Sequence, residues 1–208
     1  MVVRKWSGSG VFYDVKRQRF LFPGGRTGIR GRGLLGRYGP NRAADPIVTR
    51  FSPVTGDLEV VVVVRSDCDM IALPGGMVNP VAKTLYSEFT EEEARPNGAL
   101  ERLFLECKRR TVYKGPVDDD RRTTDEAWIE TVAVHFHAPR DEIAAGLVLE
   151  VADTKEIRRV MWIPSMKFNP CTQYASHKRW VDAGAREMAM SMNHSRVKPC
   201  LPSVLIHS

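Results

Sequence analysis

The sequence predicts an α+β fold, a mixed β-sheet with helices packed on it. Three observations carry that expectation. The run Val60–Val64 is β-branched throughout, and such a run bounded by turn residues suits a strand buried on both faces. Segments of helical periodicity at 82–94, 99–110 and 172–190 are interleaved with the strand-like runs. The chain has 208 residues, 43% of them hydrophobic and 27% charged, an ordinary globular composition. A chain of this size can bury roughly 70% of the surface that its unfolded state exposes, so it needs no covalent staples to fold.

Taken in order, the alternating stretch Val11–Val15 reads as an edge strand. The segment Pro23–Pro46 is so rich in glycine and arginine that neither a helix nor a regular strand is expected, and it is read as an ordered surface loop. Ile47–Phe51 and Leu58–Arg65 are strands joined by the turn Pro53–Asp57, where proline and glycine supply the turn geometry. Met70–Leu73 is a short strand stopped by Pro74-Gly75-Gly76. A helix over Ala82–Ala94 ends at Pro96-Asn97-Gly98. A second, Ala99–Arg110, carries Leu100, Leu103, Phe104 and Cys107 on one stripe. Strands follow at Arg110–Lys114, Trp128–His137 and Arg159–Ile163, the first two separated by the loop Val117–Asp125. The last helix runs from Thr172, a plausible N-cap, to about Met190, and the periodicity fades after Asn193. Trp128 is read as core, and His135 and His137 as strand residues without chemistry.

The charge balance limits the partners. Thirty-one Lys and Arg against 25 Asp and Glu give a net charge of +6, which attracts anions without choosing among phosphorylated metabolites, nucleic acid and anionic lipid. The longest apolar run, Val60–Val64, falls far short of the ~20 residues of a membrane span, so no span is expected. The four cysteines stand far apart without a CxxC pair, and MVVRKWSGSG holds no apolar signal core. A reduced intracellular compartment, mitochondrial or cytoplasmic, is the expectation.

Glu88, Glu91 and Glu92 are spaced i, i+3 and i+4, which places three carboxylates on one helical face. Like charges at that spacing destabilise a helix by roughly 0.2–0.5 kcal/mol per pair, a cost that a divalent cation among them removes. Oxygen donors favour Mg²⁺ or Mn²⁺, ions that bridge to substrate phosphates. The other reading of the same residues is a solvated acidic face.

Leu73–Pro80 places a strand end and a glycine turn just before the acidic helix. With Gly76, Glu88, Phe89, Glu91 and Glu92, the segment resembles the Nudix hydrolase box, G-x5-E-x7-R-E-U-x-E-E-x-G-U. It departs from the box where Ala82 takes the place of the first glutamate, Ser87 that of the arginine and Ala94 that of the late glycine. The seven-residue spacer is reduced to the four residues Lys83–Tyr86. Outside the box, Gly25–Arg50, Ala72–Val78, Tyr113–Asp119, Thr124–Thr131 and Tyr174–Lys178 resemble the ADP-ribose pyrophosphatase branch of the family, over about Gly24 to Arg186. The same domain forms the C-terminal part of an ADP-ribose-gated melastatin-type cation channel.

The resemblance implies an α/β/α sandwich over residues 24–192, with 1–23 a short extension where the branch usually carries a further lobe; the loss of periodicity after Asn193 reads as a disordered tail over 193–208. It implies Mg²⁺-dependent hydrolysis of ADP-ribose to AMP and ribose 5-phosphate, with Glu88, Glu91 and Glu92 catalytic and, together with Gly76, holding the metal. It supplies Arg26, Arg30, Arg32 and Arg37 for the pyrophosphate. Tyr174 and His177, i and i+3 on the last helix, match a ligand-contacting pair. An acidic–arginine pair in DDDRRTTDEAW is either Asp119 or Asp120 with Arg121 or Arg122, Asp119 and Arg121 being favoured. The departures in the box support an alternative, a module that binds ADP-ribose with little or no turnover. Nucleic-acid binding through the basic surface ranks below both, for want of an aromatic stacking ladder.

Overall fold

The computed structural model describes residues 12–77, 102–103, 107, 109–138, 157–168 and 176–196. Nine strands occur among them. β1 (Phe12–Asp14) and β2 (Arg19–Leu21) form an antiparallel hairpin. The remaining seven make one mixed sheet: β3 (Gly39–Phe51), β4 (Leu58–Arg65), β5 (Ile71–Ala72), β6 (Gly76–Met77), β7 (Arg109–Val117), β8 (Ala127–His137) and β9 (Ile157–Pro164). The order is β5-β4-β3-β8-β7, with β6 also on β3 and β9 also on β4. A short 3₁₀ turn, Ser165–Lys167, follows β9, and one long helix, α1, spans His177–Arg196. No helix among the described residues is long and apolar enough to cross a membrane.

The central strands are buried on both faces, and their two-residue period sorts them into two cores. Ile47, Val60, Val62 and Ala133 point to the side covered by Trp180 and Val181 of α1. Val48, Val61, Val134 and Phe136 point to the other side, where the helical residue Leu103 is fully buried against them. Burying a valine or leucine completely stabilises by roughly 1.5–3 kcal/mol, which is why the unbroken Val60–Val63 stretch fixes β4 so firmly.

Several expected boundaries shift. β3 begins at Gly39, eight residues inside the segment read as loop. It pairs in parallel with β8 from Gly39↔Ala127 to Thr49↔His137. Its prolines are tolerated because the second neighbour is interrupted: β6 pairs only at 43–44 and β4 only at 49–51, so Pro46 sits where that side has no ladder to break. Residues 109–110 are strand rather than the end of a helix, and β7 runs on to Val117. The last helix continues to Arg196, past Asn193. The helix expected over 82–94, most of that over 99–108, and Thr172 lie outside the described residues.

Candidate active site

The glycine-rich turn after β5 packs directly on β3. At Gly75 (φ +154°) an added Cβ would come within 2.5 Å of the Ala44 carbonyl oxygen and 2.7 Å of Asp45 Oδ1, so only glycine lets the turn lie this close. Gly76 then pairs with Ala44. Asp45 is an acid buried inside a strand, and its Oδ2 accepts a hydrogen bond from Thr131 Oγ1 of β8 at 2.5 Å.

His177, the first residue of α1, reaches the same place from the opposite side. It is 7% exposed. The Leu73 main-chain N–H donates to His177 Nδ1 at 2.9 Å, so Nδ1 is unprotonated and the neutral ring carries its proton on Nε2, 3.8 Å from Asp45 Oδ1. Burial is the main cause that pushes the imidazole pKa down to about 3. Asp120 opposes the shift, and Arg65 and Arg122 reinforce it. The ring leans on Trp180, which in turn stacks on Tyr113.

The loop before β8 supplies the third side. Arg122 grips Asp120 with both arms of its fork, Nε to Oδ1 at 2.9 Å and Nη2 to Oδ2 at 2.8 Å. Asp120 is buried, and its Oδ1 also accepts the Arg122 main-chain N–H. Asp45, Gly75, Gly76, Asp120, Arg122 and His177, with Arg65 from the end of β4, line a cavity of about 200 Å³. A larger cleft of about 630 Å³ lies at the β1–β2 hairpin and shares no lining residue with it. The smaller cavity is the one at which the glycine turn, a guanidinium fork and a buried imidazole meet, and chemistry rather than volume marks it as the candidate site.

Of the residues anticipated from sequence, Gly76 and His177 line this cavity. The favoured pair Asp119 and Arg121 does not. The single Ser176 hydroxyl donates to the Asp119 carboxylate, lying 2.8 and 2.9 Å from its two oxygens, and fastens the loop to the start of α1. Arg121 is exposed and donates to Asp67 Oδ2 at 3.0 Å. Asp67 is also gripped by Arg65, whose hydrogen bonds hold its carboxyl well below the usual range. The pair at the cavity is Asp120 with Arg122, because the tight turn that caps Thr123 N–H with the Asp120 carbonyl directs these two inward.

Arg26, Arg32 and Arg37 are exposed and do not line the cavity. Arg32 Nη1 donates to the Gly36 carbonyl and Arg37 Nε to the Pro40 carbonyl, both at 2.9 Å, so these two guanidinium groups brace their own loop. Glu88, Glu91, Glu92 and Tyr174 lie outside the described residues. Sequence reasoning missed Asp45, Arg65 and Trp180. For Asp45 a signal existed, an acid amid residues destined for a buried strand; for the other two none did.

The resemblance to Nudix hydrolases implies a divalent metal. Among the described residues no three His, Cys, Asp or Glu groups converge on a metal position. The described wall offers the Gly76 main chain and two carboxylates, Asp45, whose Oδ2 is bonded to Thr131, and Asp120, both of whose oxygens are held by Arg122. The glutamate triplet expected from sequence to suit a hard cation lies outside the described residues.

No protein-family model matches the chain. It is 38% identical over 204 residues to the mitochondrial ADP-ribose pyrophosphatase of Rattus norvegicus, a match covering 86% of this chain and 57% of that protein. It is 42% identical over 164 residues to a transient receptor potential cation channel subfamily M member-like 2 protein of Nematostella vectensis, covering 68% of this chain and 10% of that one. Among solved structures, the NUDIX domain of Shewanella oneidensis NrtR, complexed with ADP ribose, superposes with a TM-score of 0.53 at 15% identity, over 85% of this chain and 94% of that one. A MutT/nudix family protein from Enterococcus faecalis gives 0.54 at 16% identity, over 77% and 66%. The fold is the Nudix fold, and in sequence the chain is similar to proteins of the Nudix hydrolase family. Within that family it is similar to an ADP-ribose pyrophosphatase, of which it spans little more than half the length.

Proposed function

We propose that the chain hydrolyses the pyrophosphate bond of ADP-ribose to AMP and ribose 5-phosphate, with Mg²⁺ or Mn²⁺ as cofactor. The observation that carries this reading is the meeting of the Gly75-Gly76 turn, the Asp120–Arg122 fork and His177 around one cavity. The name of the rat relative and the ligand in the NrtR domain supply the substrate.

Glu88, Glu91 and Glu92, with the Gly76 main chain, would hold the metal. Bound there, the cation offsets diphosphate charge and makes water a better nucleophile. Arg122, rigid on Asp120, binds phosphoryl oxygens, and Arg65 adds positive charge from β4. His177 is neutral at physiological pH and serves as a hydrogen-bond donor through Nε2, not as an acid. One of the glutamates accepts the proton of the attacking water.

Incubating the full chain with ADP-ribose and Mg²⁺ and separating the products by chromatography tests this directly: AMP is expected. Glu92→Gln should abolish turnover while leaving ADP-ribose affinity within several-fold. AMP release at the parent rate by that variant overturns the metal assignment. A second reading, ADP-ribose binding without turnover, is favoured by Ala82 and Ser87, which replace a metal-side glutamate and the arginine of the box. It requires calorimetric binding with the ligand recovered intact. For location we propose the mitochondrion, after the rat relative; fractionation leaving the protein in the cytosol counts against it.

A further inference from the structure

We propose that the cleft between the β1–β2 hairpin and the Gly/Arg-rich loop is a second binding site, specific for a nucleoside phosphate and separate from the candidate active site. The cleft measures about 630 Å³, within the range of small-molecule sites.

Its two walls are stapled together by one carboxylate. Glu126 Oε1 accepts Arg19 Nη1 from the hairpin at 3.0 Å, and Oε2 accepts the Gly31 main-chain N–H from the loop at 3.1 Å. Among the described residues Glu126 is the one acid lining the cleft, and both its oxygens are engaged in this staple. Against it stand three guanidinium groups, Arg17, Arg19 and Arg30. Arg17 is oriented by Nη1 on Asp14 Oδ2 at 3.1 Å. That pair and the Arg19–Glu126 pair each use a single nitrogen of a group with five N–H donors. Arg19 Nε is buried without a hydrogen-bond partner among the described residues, so this guanidinium is already partly removed from water. Arg30 is exposed and makes no ion pair among the described residues. Preoriented cations with one spent acid select an anion, and a planar fork selects phosphate.

The aromatic rings select the rest of the ligand. Tyr38 leaves 53% of its surface exposed at the cleft. Tyr13, fixed edge-on to Phe20 at 5.1 Å, lines the opposite side. Tyrosine faces stack with any nucleobase. A bare inorganic anion uses none of this apolar surface, and a hydrocarbon leaves the arginines uncompensated.

The test is hydrogen exchange of the full chain titrated with AMP, resolved by segment, which reads this cleft independently of ADP-ribose turnover. Protection should appear across 16–20 and 29–38. Arg30→Ala and Tyr38→Ala, both at exposed positions, should each raise the AMP concentration for half-protection there by about tenfold. Adenosine and inorganic phosphate should each protect more weakly than AMP. Protection confined to 72–76 and 117–122, or unchanged half-protection in both variants, overturns the proposal. Tighter, steeply salt-dependent binding of a twelve-residue single-stranded DNA overturns it in favour of a nucleic-acid strand.

Discussion

Two neighbouring arginines in one loop have different fates, and the difference is measurable. Arg122 is locked on a buried aspartate at the cavity, whereas Arg121 reaches an exposed aspartate away from it. Arg122→Ala should therefore weaken ADP-ribose binding by at least about tenfold, while Arg121→Ala stays within about twofold. Calorimetry on the two variants decides it; equal losses would mean that the loop acts only as a charged patch. His177→Ala should also weaken binding, and parent-like affinity would remove that imidazole from the site. The family resemblance pointed to His177, paired with Tyr174, as a ligand contact, but not to its tautomer. That depends on the Leu73 N–H, 104 residues away in the chain.

At the scale of elements, the Gly/Arg-rich loop is held by the segment just before β8. Asp125 Oδ1 accepts from Thr27 N, Thr27 Oγ1 and Gly28 N at 2.6, 2.9 and 3.2 Å, and Thr124 Oγ1 donates to the Gly31 carbonyl at 2.6 Å. Burial works to raise the Asp125 pKa, yet these hydrogen bonds, with the charge of Arg26, hold it below its ordinary value. Asp125→Ala should destabilise the fold by about 1–3 kcal/mol in urea unfolding. It should also speed proteolysis within 25–33, and an unchanged midpoint would show that the loop is pinned by other contacts. From sequence alone the glycines announced a loop but not its anchor, because Thr27 and Asp125 stand 98 residues apart. Residues 39–46 were misread for a similar reason. Two prolines and a glycine argue against a strand locally, and only pairing with β8 and β6 outweighs them.

Across the whole molecule, three histidines are folded into surroundings that keep them neutral. Burial lowers the pKa of His135 and His137 to about 4 each, and that of His177 to about 3, from an ordinary 6.5. Thr49 Oγ1 lies 2.7 Å from His135 Nε2 and 2.9 Å from His137 Nδ1, and with one hydroxyl proton it must accept from at least one ring. As pH falls through 6.5, the unfolded chain takes up protons that the native state refuses. The contribution is therefore complete above pH 7 and is lost as pH falls from 6.5 toward 4, at about 1.4 kcal/mol per histidine per pH unit. Urea unfolding at pH 7.5 and 5.5 should show a clear drop at the lower pH, before most carboxylates titrate. Equal stability would mean that these rings are protonated in the fold.

What the sequence determined by itself was whatever repeats within a few residues. β-branched side chains in an unbroken run make β4, and prolines and glycines make its turns. The similarity to Nudix hydrolases was legible too, in strings such as GRTGIRGRGLLGRYGPNRAADP. The tertiary structure alone decided that β3 starts at Gly39, that Asp120 and Arg122 rather than their neighbours face the cavity, and that a buried aspartate of β3 stands beside His177. Each of these depends on partners dozens of residues away. A chain read in order carries propensities, whereas burial and hydrogen-bond pairing exist only once distant segments have met.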